Sequence, residues 1–359
     1  MKVIKFLFVL LILTILVAGG AAYWIYKSLN TPHAHGKTNQ YIQIAKGATP
    51  NEIIAKLANE GILANTIPTE IYLKTLGDGS KIQAGEFQFD SPITPLQVLK
   101  ELEKGEDRTS KLTIPEGFTR FDIAKRIADR FPQNPPMDDK EILALMNDTT
   151  LIRDINPTAK NLEGYMYPST YNFPRGTTAQ TIIKTTVEQF KKIWKPEYTL
   201  KAQQMGRTPE QIVTIASLIE TESKVADERP VVASVIYNRL NKGIALGIDQ
   251  SAVYVAKMEN RWDGTIYKST VEVDSPYNTR KYAGLPPGPI SSVSESALKA
   301  ALNPAQTDYI FYVLNVEKND GTHNFYSSAA EFEKGKAAYQ IWLEEQRKIK
   351  REQEASNNQ

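Results

Sequence analysis

The run from Phe6 to Tyr26, FLFVLLILTILVAGGAAYWIY, carries no charge. At about 1.5 Å per residue, a helix of this length crosses the ~30 Å hydrocarbon core of a bilayer. The rest of the chain must then fold on one side of a membrane, tethered near its start. Lys2 and Lys5 precede the run, which favours a cytoplasmic location for residues 1–5. Tyr23, Trp24 and Tyr26 suit the far interface, where amphipathic rings settle. The competing reading is a cleaved signal peptide, with Ala18 to Ala22 as the cleavage region. The run is long for a signal core, and the aromatics follow the small residues, so an uncleaved anchor over 6–26 is expected. Residues 27–39, with Pro32, His33, His35, Gly36 and Lys37, read as a polar linker.

Beyond the anchor the composition is globular. The chain has 359 residues, 41% hydrophobic and 23% charged, enough for about two or three domains. A formal net charge of +2, with no basic block interleaved with aromatics, speaks against a nucleic-acid partner. The absence of cysteine excludes disulfides, thiolate metal sites and a cysteine nucleophile. The 3 histidines, His33, His35 and His323, supply metal chemistry or a serine–histidine triad poorly. No metal or cofactor is expected, and no phosphate-binding glycine motif or nucleophile elbow occurs.

Two stretches of similar pattern follow. Ile44-Ala-Lys-Gly-Ala-Thr-Pro-Asn-Glu-Ile53 and Ile114-Pro-Glu-Gly-Phe-Thr-Arg-Phe-Asp-Ile123 both read as strand, glycine turn and helix. Thr49 with Glu52 is a capping box, and Thr119 with Asp122 is its acidic variant. Thr94-Pro-Leu-Gln97 and Thr177-Thr-Ala-Gln180 repeat the device. Ala84 to Phe89 alternates as a strand does. Residues 40–105 resemble a LysM module, which binds glycans containing N-acetylglucosamine. A small α+β spacer without sugar affinity is the other reading.

Further along, Tyr165, Tyr167 and Tyr171 alternate. Aromatic rings beside polar groups line sugar clefts, and they are also ordinary sheet residues. Asp249 reads as a helix N-cap or as a group that orients a catalytic residue. Asp274-Ser-Pro-Tyr-Asn-Thr279 and Gly284-Leu-Pro-Pro-Gly-Pro289 are loops, with Ser275, Asn278 and Thr279 as short hydrogen-bonding side chains. Tyr309 to Leu314 reads as a strand, Gly321 to Phe325 as a turn into a second, and Glu331 to Arg351 as a charged helix.

Chemistry concentrates in Glu210-Gln-Ile-Val-Thr-Ile-Ala-Ser-Leu-Ile-Glu-Thr-Glu-Ser223. Ile212, Ile215, Ala216 and Ile219 fall at i, i+3, i+4 and i+7, the period of a helix buried along one face. The apolar run then ends in Glu220 and Glu222. A carboxylate covered by protein resists ionisation, which raises its pKa toward the range a general acid needs. Solvated residues at a helix end are the plainer reading. The pattern does not choose between the two glutamates.

The ordered motifs carry a resemblance. They are Glu163-Gly-Tyr-Met-Tyr-Pro-Ser-Thr-Tyr171, Ala216-Ser-Leu-Ile-Glu-Thr-Glu222, Val232-Ala-Ser-Val-Ile-Tyr-Asn-Arg-Leu240, Asp249, Asp274 to Thr279, Gly284 to Gly288 and His323-Asn-Phe325. The chain resembles the endolytic murein transglycosylases of the MltG (YceG-like) family over most of residues 40–345. The resemblance implies a single-pass inner-membrane enzyme with a periplasmic catalytic domain. It implies cleavage of nascent peptidoglycan glycan strands between N-acetylmuramic acid and N-acetylglucosamine, leaving 1,6-anhydro ends and terminating elongation. The family's catalytic glutamate falls on Glu220. Glu163, Tyr165, Glu222, Asp249, Ser275, Tyr277, Asn278 and Thr279 become candidates for substrate contact, and peptidoglycan synthases and the elongation or division machinery become candidate partners.

Glycoside hydrolases use two carboxylates. A lytic transglycosylase uses the sugar's own 6-hydroxyl, so one glutamate suffices. A water-using muramidase and a non-catalytic wall-binding scaffold are the alternatives. The chain departs from the family's pattern at Gln250, at Ser292-Val-Ser294 and at Phe332, where the family commonly has Pro, Asn-Pro-Gly and His. The expected fold is α+β: residues 1–5 cytoplasmic, 6–26 anchor, 27–39 linker, 40–105 LysM-like unit, 106–345 catalytic domain and 346–359 charged tail.

Overall fold

The computed structural model describes every residue except 1, 39, 46, 105–109, 175, 358 and 359. The expected boundary after residue 105 lies outside the described residues, as do Lys46 of the first strand–turn–helix stretch and both ends of the chain. The architecture is mixed α+β, and the chain divides into two compact units, Met1–Ser110 and Lys111–Gln359.

The first unit opens with α1, Lys2–Asn30. Its Lys5–Asn30 stretch contains an 18-residue window of mean hydropathy 2.5 and is long and apolar enough to cross a membrane. The helix runs past Tyr26 into the stretch expected as linker, because Leu29 is buried where α1 meets the globular part. Residues further on are also held: His33 and Ile93 exchange backbone hydrogen bonds of 2.8 and 3.0 Å. Strand β1 (Ile42–Ile44), α2 (Pro50–Asn59), α3 (Ile67–Thr75), β2 (Gly85–Phe87) and α4 (Pro95–Lys104) follow. Strands β1 and β2 pair antiparallel with Ile42 opposite Phe87. The order strand, helix, helix, strand buries Ile42, Ile44, Ile54, Leu57, Phe87 and Leu99 in one small core. Thr49 and Glu52 form the full capping box, and Thr94 and Gln97 exchange the same pair of bonds at 3.2 and 2.9 Å.

The second unit contains β3 (from Ser110 to Ile114), α5 (Arg120–Arg130), α6 (Asp139–Leu145), β4 (Ser169–Phe173), α7 (Ala179–Ile193) and α8 (Pro196–Gln204). It continues with α9 (Pro209–Glu222), α10 (Arg229–Asn241), α11 (Asp249–Met258), α12 (Lys268–Val271) and α13 (Glu295–Leu302). Strands β5 (Phe311–Leu314) and β6 (His323–Tyr326) form an antiparallel hairpin before α14 (Ala329–Asn357). β3 pairs with β4.

The Thr119–Asp122 box forms in full. The cap of α7 is Thr178, whose hydroxyl accepts from Thr181 N, one residue later than expected. Thr177 instead donates its hydroxyl to the Pro174 carbonyl at 2.7 Å.

Helix α9 is the axis of this unit and packs against α8, α10, α11 and α13. Every residue from Ile212 to Glu220 is buried, so the helix expected to bury one face is buried all round. Its polar members cost little, because Thr214 and Ser217 return their hydroxyls to the carbonyls of Glu210 and Thr214 at 2.8 and 2.7 Å. Each buried Ile, Leu or Val contributes about 1.5–3 kcal/mol. The site at the helix end therefore rests on the most firmly held element of the unit.

Candidate active site

Helix α9 starts at a reciprocal box between Thr208 and Gln211 and ends at Ser223, whose N–H donates to the Ile219 carbonyl. Glu220 and Glu222 leave it roughly 200° apart and meet different surroundings.

Glu220 points inward. Its side chain is 1% exposed. Oε1 accepts from Nη2 of Arg229 at 2.6 Å, and Oε2 accepts from the backbone N–H of Ser294 at 2.8 Å. Ser294 is the N-cap of α13, so the carboxyl also faces the positive end of that helix. Burial pushes the Glu220 pKa up, hydrogen bonds from Ser294 and the charge of Arg229 pull it back, and Glu116 pushes it up again. The net direction is upward.

Arg229 begins α10, and Pro230 at the helix start costs no hydrogen bond there. Its guanidinium is spread over several partners. Nη1 donates to Ser294 Oγ at 2.6 Å and to Ser296 Oγ, Nε donates to the Ser223 carbonyl at 3.4 Å, and Nη2 also reaches Glu116 Oε2 at 3.2 Å. Glu116 stands on the turn after β3, with its side chain 55% exposed. Tyr167 closes the group. Its hydroxyl meets the Glu295 backbone, and burial, then the charges of Glu295, Glu116 and Glu220, push its pKa up.

Glu222 turns toward the hairpin. It accepts from the Tyr312 hydroxyl at 2.5 Å. Burial raises its pKa, Tyr312 lowers it, Asp249 raises it, and His323 and Arg239 lower it. His323 is held in its turn: its backbone N–H donates to Glu228 Oε1 at 2.7 Å, and Nδ1 lies 2.9 Å from Oε2.

Asp249 does not cap its helix. Ile248 occupies the cap position of α11 without a side-chain bond, and Asp249 in the first turn pairs with Arg280. Glu163 is buried, with both oxygens on the backbone N–H of Arg120 at 3.2 and 3.0 Å. Burial raises its pKa to about 7. Tyr165 is buried, edge-on to Phe190, and Asn156 donates to its hydroxyl at 3.0 Å. Asn278 donates to the Val271 and Val273 carbonyls and ties the 274–279 loop to the end of α12, while Thr279 Oγ1 accepts from Ile248 N–H at 3.0 Å and ties it to the start of α11. Ser275 and Tyr277 remain partly exposed.

The structure thus groups Glu220 with Arg229, Ser294, Glu116 and Tyr167, and Glu222 with Tyr312, His323 and Asp249. Sequence reasoning missed Arg229, Glu116, Ser294 and Tyr312 as members of a site. Each is brought in by a separate element, and no local pattern marks it. Among the described residues, no group of three or more His, Asp or Glu converges as a metal site would.

Fold and site define a class of protein: an α+β unit built around a buried, arginine-held acid at a helix end, in a chain that carries a membrane-length apolar helix. The chain belongs to the YceG-like family, whose model matches residues 42–338. It is 30% identical over 340 residues to a Bacillus subtilis (strain 168) protein named endolytic murein transglycosylase, covering 90% of this chain and 91% of that one. A protein of the same name from Streptococcus pneumoniae serotype 2 is 29% identical, over 86% of this chain and 60% of the relative. The crystal structure of a yceG-like protein from Listeria monocytogenes is similar with a TM-score of 0.55 and 30% identity, over 82% of this chain and 98% of that one.

Proposed function

We propose that this chain is an endolytic murein transglycosylase with Glu220 as its acid and base. The observation that carries the reading is the Glu220 carboxyl, buried at the end of α9 with its pKa raised by that burial. A protonated carboxyl at this position donates its proton to the glycosidic oxygen as the bond to the leaving sugar breaks. The carboxylate left behind accepts the proton of the 6-hydroxyl as that oxygen closes on C1 to form the 1,6-anhydro ring. Arg229 and the Ser294 N–H stabilise the charge that appears on Glu220 between the two transfers. The nucleophile belongs to the substrate, so its effective concentration is high without a second binding event.

The bond cleaved lies between N-acetylmuramic acid and N-acetylglucosamine. Glu222, Asp249, Ser275 and Tyr277, whose side chains are only partly covered, are the proposed glycan contacts. Helix α1 is the proposed inner-membrane anchor, with residues 1–5 cytoplasmic and the chain beyond the anchor periplasmic. The strand–helix–helix–strand stretch of the first unit is proposed as a LysM-like glycan-holding unit. Peptidoglycan synthases are the proposed partners.

A water-using muramidase would need a second carboxylate to activate water. Glu116 is the carboxylate beside Glu220, and one of its oxygens is taken by the guanidinium of Arg229 at 3.2 Å. That pairing favours the lyase. Digestion of purified glycan strands tests the assignment: the wild type should cut them internally, and Glu220→Gln should fold yet leave them intact. Cleavage by the variant would refute the role of Glu220, and binding without cleavage by the wild type would mark a scaffold.

A further inference from the structure

A guanidinium and a backbone N–H that donate to the two oxygens of a buried carboxylate favour its ionised form and oppose the effect of burial. The reaction proposed at Glu220 begins from the protonated form. The geometry contains a device that eases this conflict. Nη2 of Arg229 donates to Glu220 at 2.6 Å and also to Glu116 at 3.2 Å, so one nitrogen serves two carboxylates.

Glu116 is not beside the arginine by accident of a loose surface chain. Its turn is stitched to the segment that carries Ser294. Gly117 N–H donates to the Ser292 carbonyl at 3.2 Å, Ser292 N–H donates to the Phe118 carbonyl at 2.6 Å, and Ser292 Oγ donates to the Pro115 carbonyl at 3.2 Å. Three bonds therefore fix the backbone of Glu116 against the strand of chain that offers its N–H to Glu220. The other groups facing Glu220 are Arg229 from α10, Ser294 at the start of α13 and Tyr167 from the segment before β4. Glu295, near Tyr167, is occupied by Lys299 at 2.8 Å. Glu116 is the one carboxylate among the described residues that shares the arginine.

We propose that Glu116 is a positioning residue for the reaction at Glu220: it holds the Arg229 guanidinium from the solvent side and so loosens that guanidinium's grip on the buried acid. This rests on the reading of Glu220 as the acid. Removing the charge of Glu116 removes a like-charge neighbour and leaves Glu220 as the carboxylate that Arg229 Nη2 serves. Both changes favour the ionised acid, so the Glu220 pKa falls and activity is lost at lower pH.

The test is a carbon-13 titration of the Glu220 carboxyl in the full chain in detergent, its resonance identified by its absence in Glu220→Gln. Glu116→Gln should lower the Glu220 pKa by about one unit. Glu116→Asp, which keeps the charge, should stay near wild type. With glycan strands as substrate, the alkaline limb of kcat/KM should move down by the same amount in Glu116→Gln while KM holds. An unmoved or raised Glu220 pKa in Glu116→Gln would overturn the proposal, as would an equal shift in Glu116→Asp or a loss confined to KM. The titration needs no cleavage, so a failure of the lyase reading appears separately, as an inactive wild type. Glu116 is half exposed, and circular dichroism with Glu116→Ala as a second variant checks that the fold survives.

Discussion

Tyr312 on strand β5 donates its hydroxyl to Glu222 at the end of helix α9, at 2.5 Å, and pins the hairpin to the helix that carries Glu220. Glutamine at position 222 can still accept that bond. Glu222→Gln should therefore keep its activity within about tenfold of wild type, about 1.4 kcal/mol in the barrier. Tyr312→Phe removes the donor and should lower stability by about 1–3 kcal/mol. Urea unfolding and glycan digestion of both variants check this. A Glu222→Gln variant as dead as Glu220→Gln would place the acid on the wrong glutamate.

Arg229 is buried, and removing it leaves Glu220 without its cation. Arg229→Ala should destabilise the protein by about 3–5 kcal/mol, the cost of an orphaned buried charge. The Glu220 pKa should rise in the same variant. Urea denaturation followed by tryptophan fluorescence measures the first effect. A loss no larger than that of an exposed arginine, such as Arg153, would contradict the arrangement.

Glu163 gives a pH signature. Its folded pKa is raised from 4.5 to about 7 by burial, so the native state binds this proton more tightly than the unfolded chain. The associated stability is fully present below about pH 4.5 and is lost as pH rises through about 7. The change is on the order of 3 kcal/mol. Glu163→Gln should lose this slope while its amide oxygen still accepts from Arg120. Glu220 and Glu222 slope in the same direction, so the difference between wild type and variant isolates Glu163. Parallel stability curves from pH 5 to 8 would contradict it.

Gly164 has φ of 83°, and a Cβ there would lie 2.6 Å from Pro289 Cβ and 2.9 Å from Val213 Cγ1. Gly164→Ala should cost about 1–2 kcal/mol in backbone conformation and about 1–3 kcal/mol more in overpacking. Gly176 has φ of 75° with open space around it, so Gly176→Ala should show the backbone cost alone. Thermal unfolding of the pair separates the two contributions. Equal losses would mean that the 284–289 loop yields freely.

What was legible in the sequence follows the range of the interactions. The apolar span, the Thr49–Glu52 and Thr119–Asp122 boxes and the course of α9 are set by residues within a turn of one another. The reading slipped by one residue at Thr178, because two threonines in a row both suit a cap. The cap reading failed at Asp249, which lies in the first turn of α11 and pairs with Arg280 from the loop that follows Thr279. The motif residues Glu163 and Tyr165 resembled cleft residues, yet their polar atoms face inward to Arg120 N–H and Asn156. The site itself was half legible. Glu220 stood out at the end of an apolar helix. Arg229, Ser294 and Glu116 reach it from three other elements, and Tyr312 joins Glu222 across 90 residues of chain. Only the tertiary fold brings such groups together.

The most direct measurement is glycan digestion in heavy-oxygen water, with mass analysis of the new ends. Attack by the substrate's own 6-hydroxyl predicts 1,6-anhydro ends, lighter than reducing ends by one water and free of the heavy isotope, with none produced by Glu220→Gln. Reducing muramic acid ends carrying heavy oxygen would show that water is the nucleophile and would contradict the single-acid lyase.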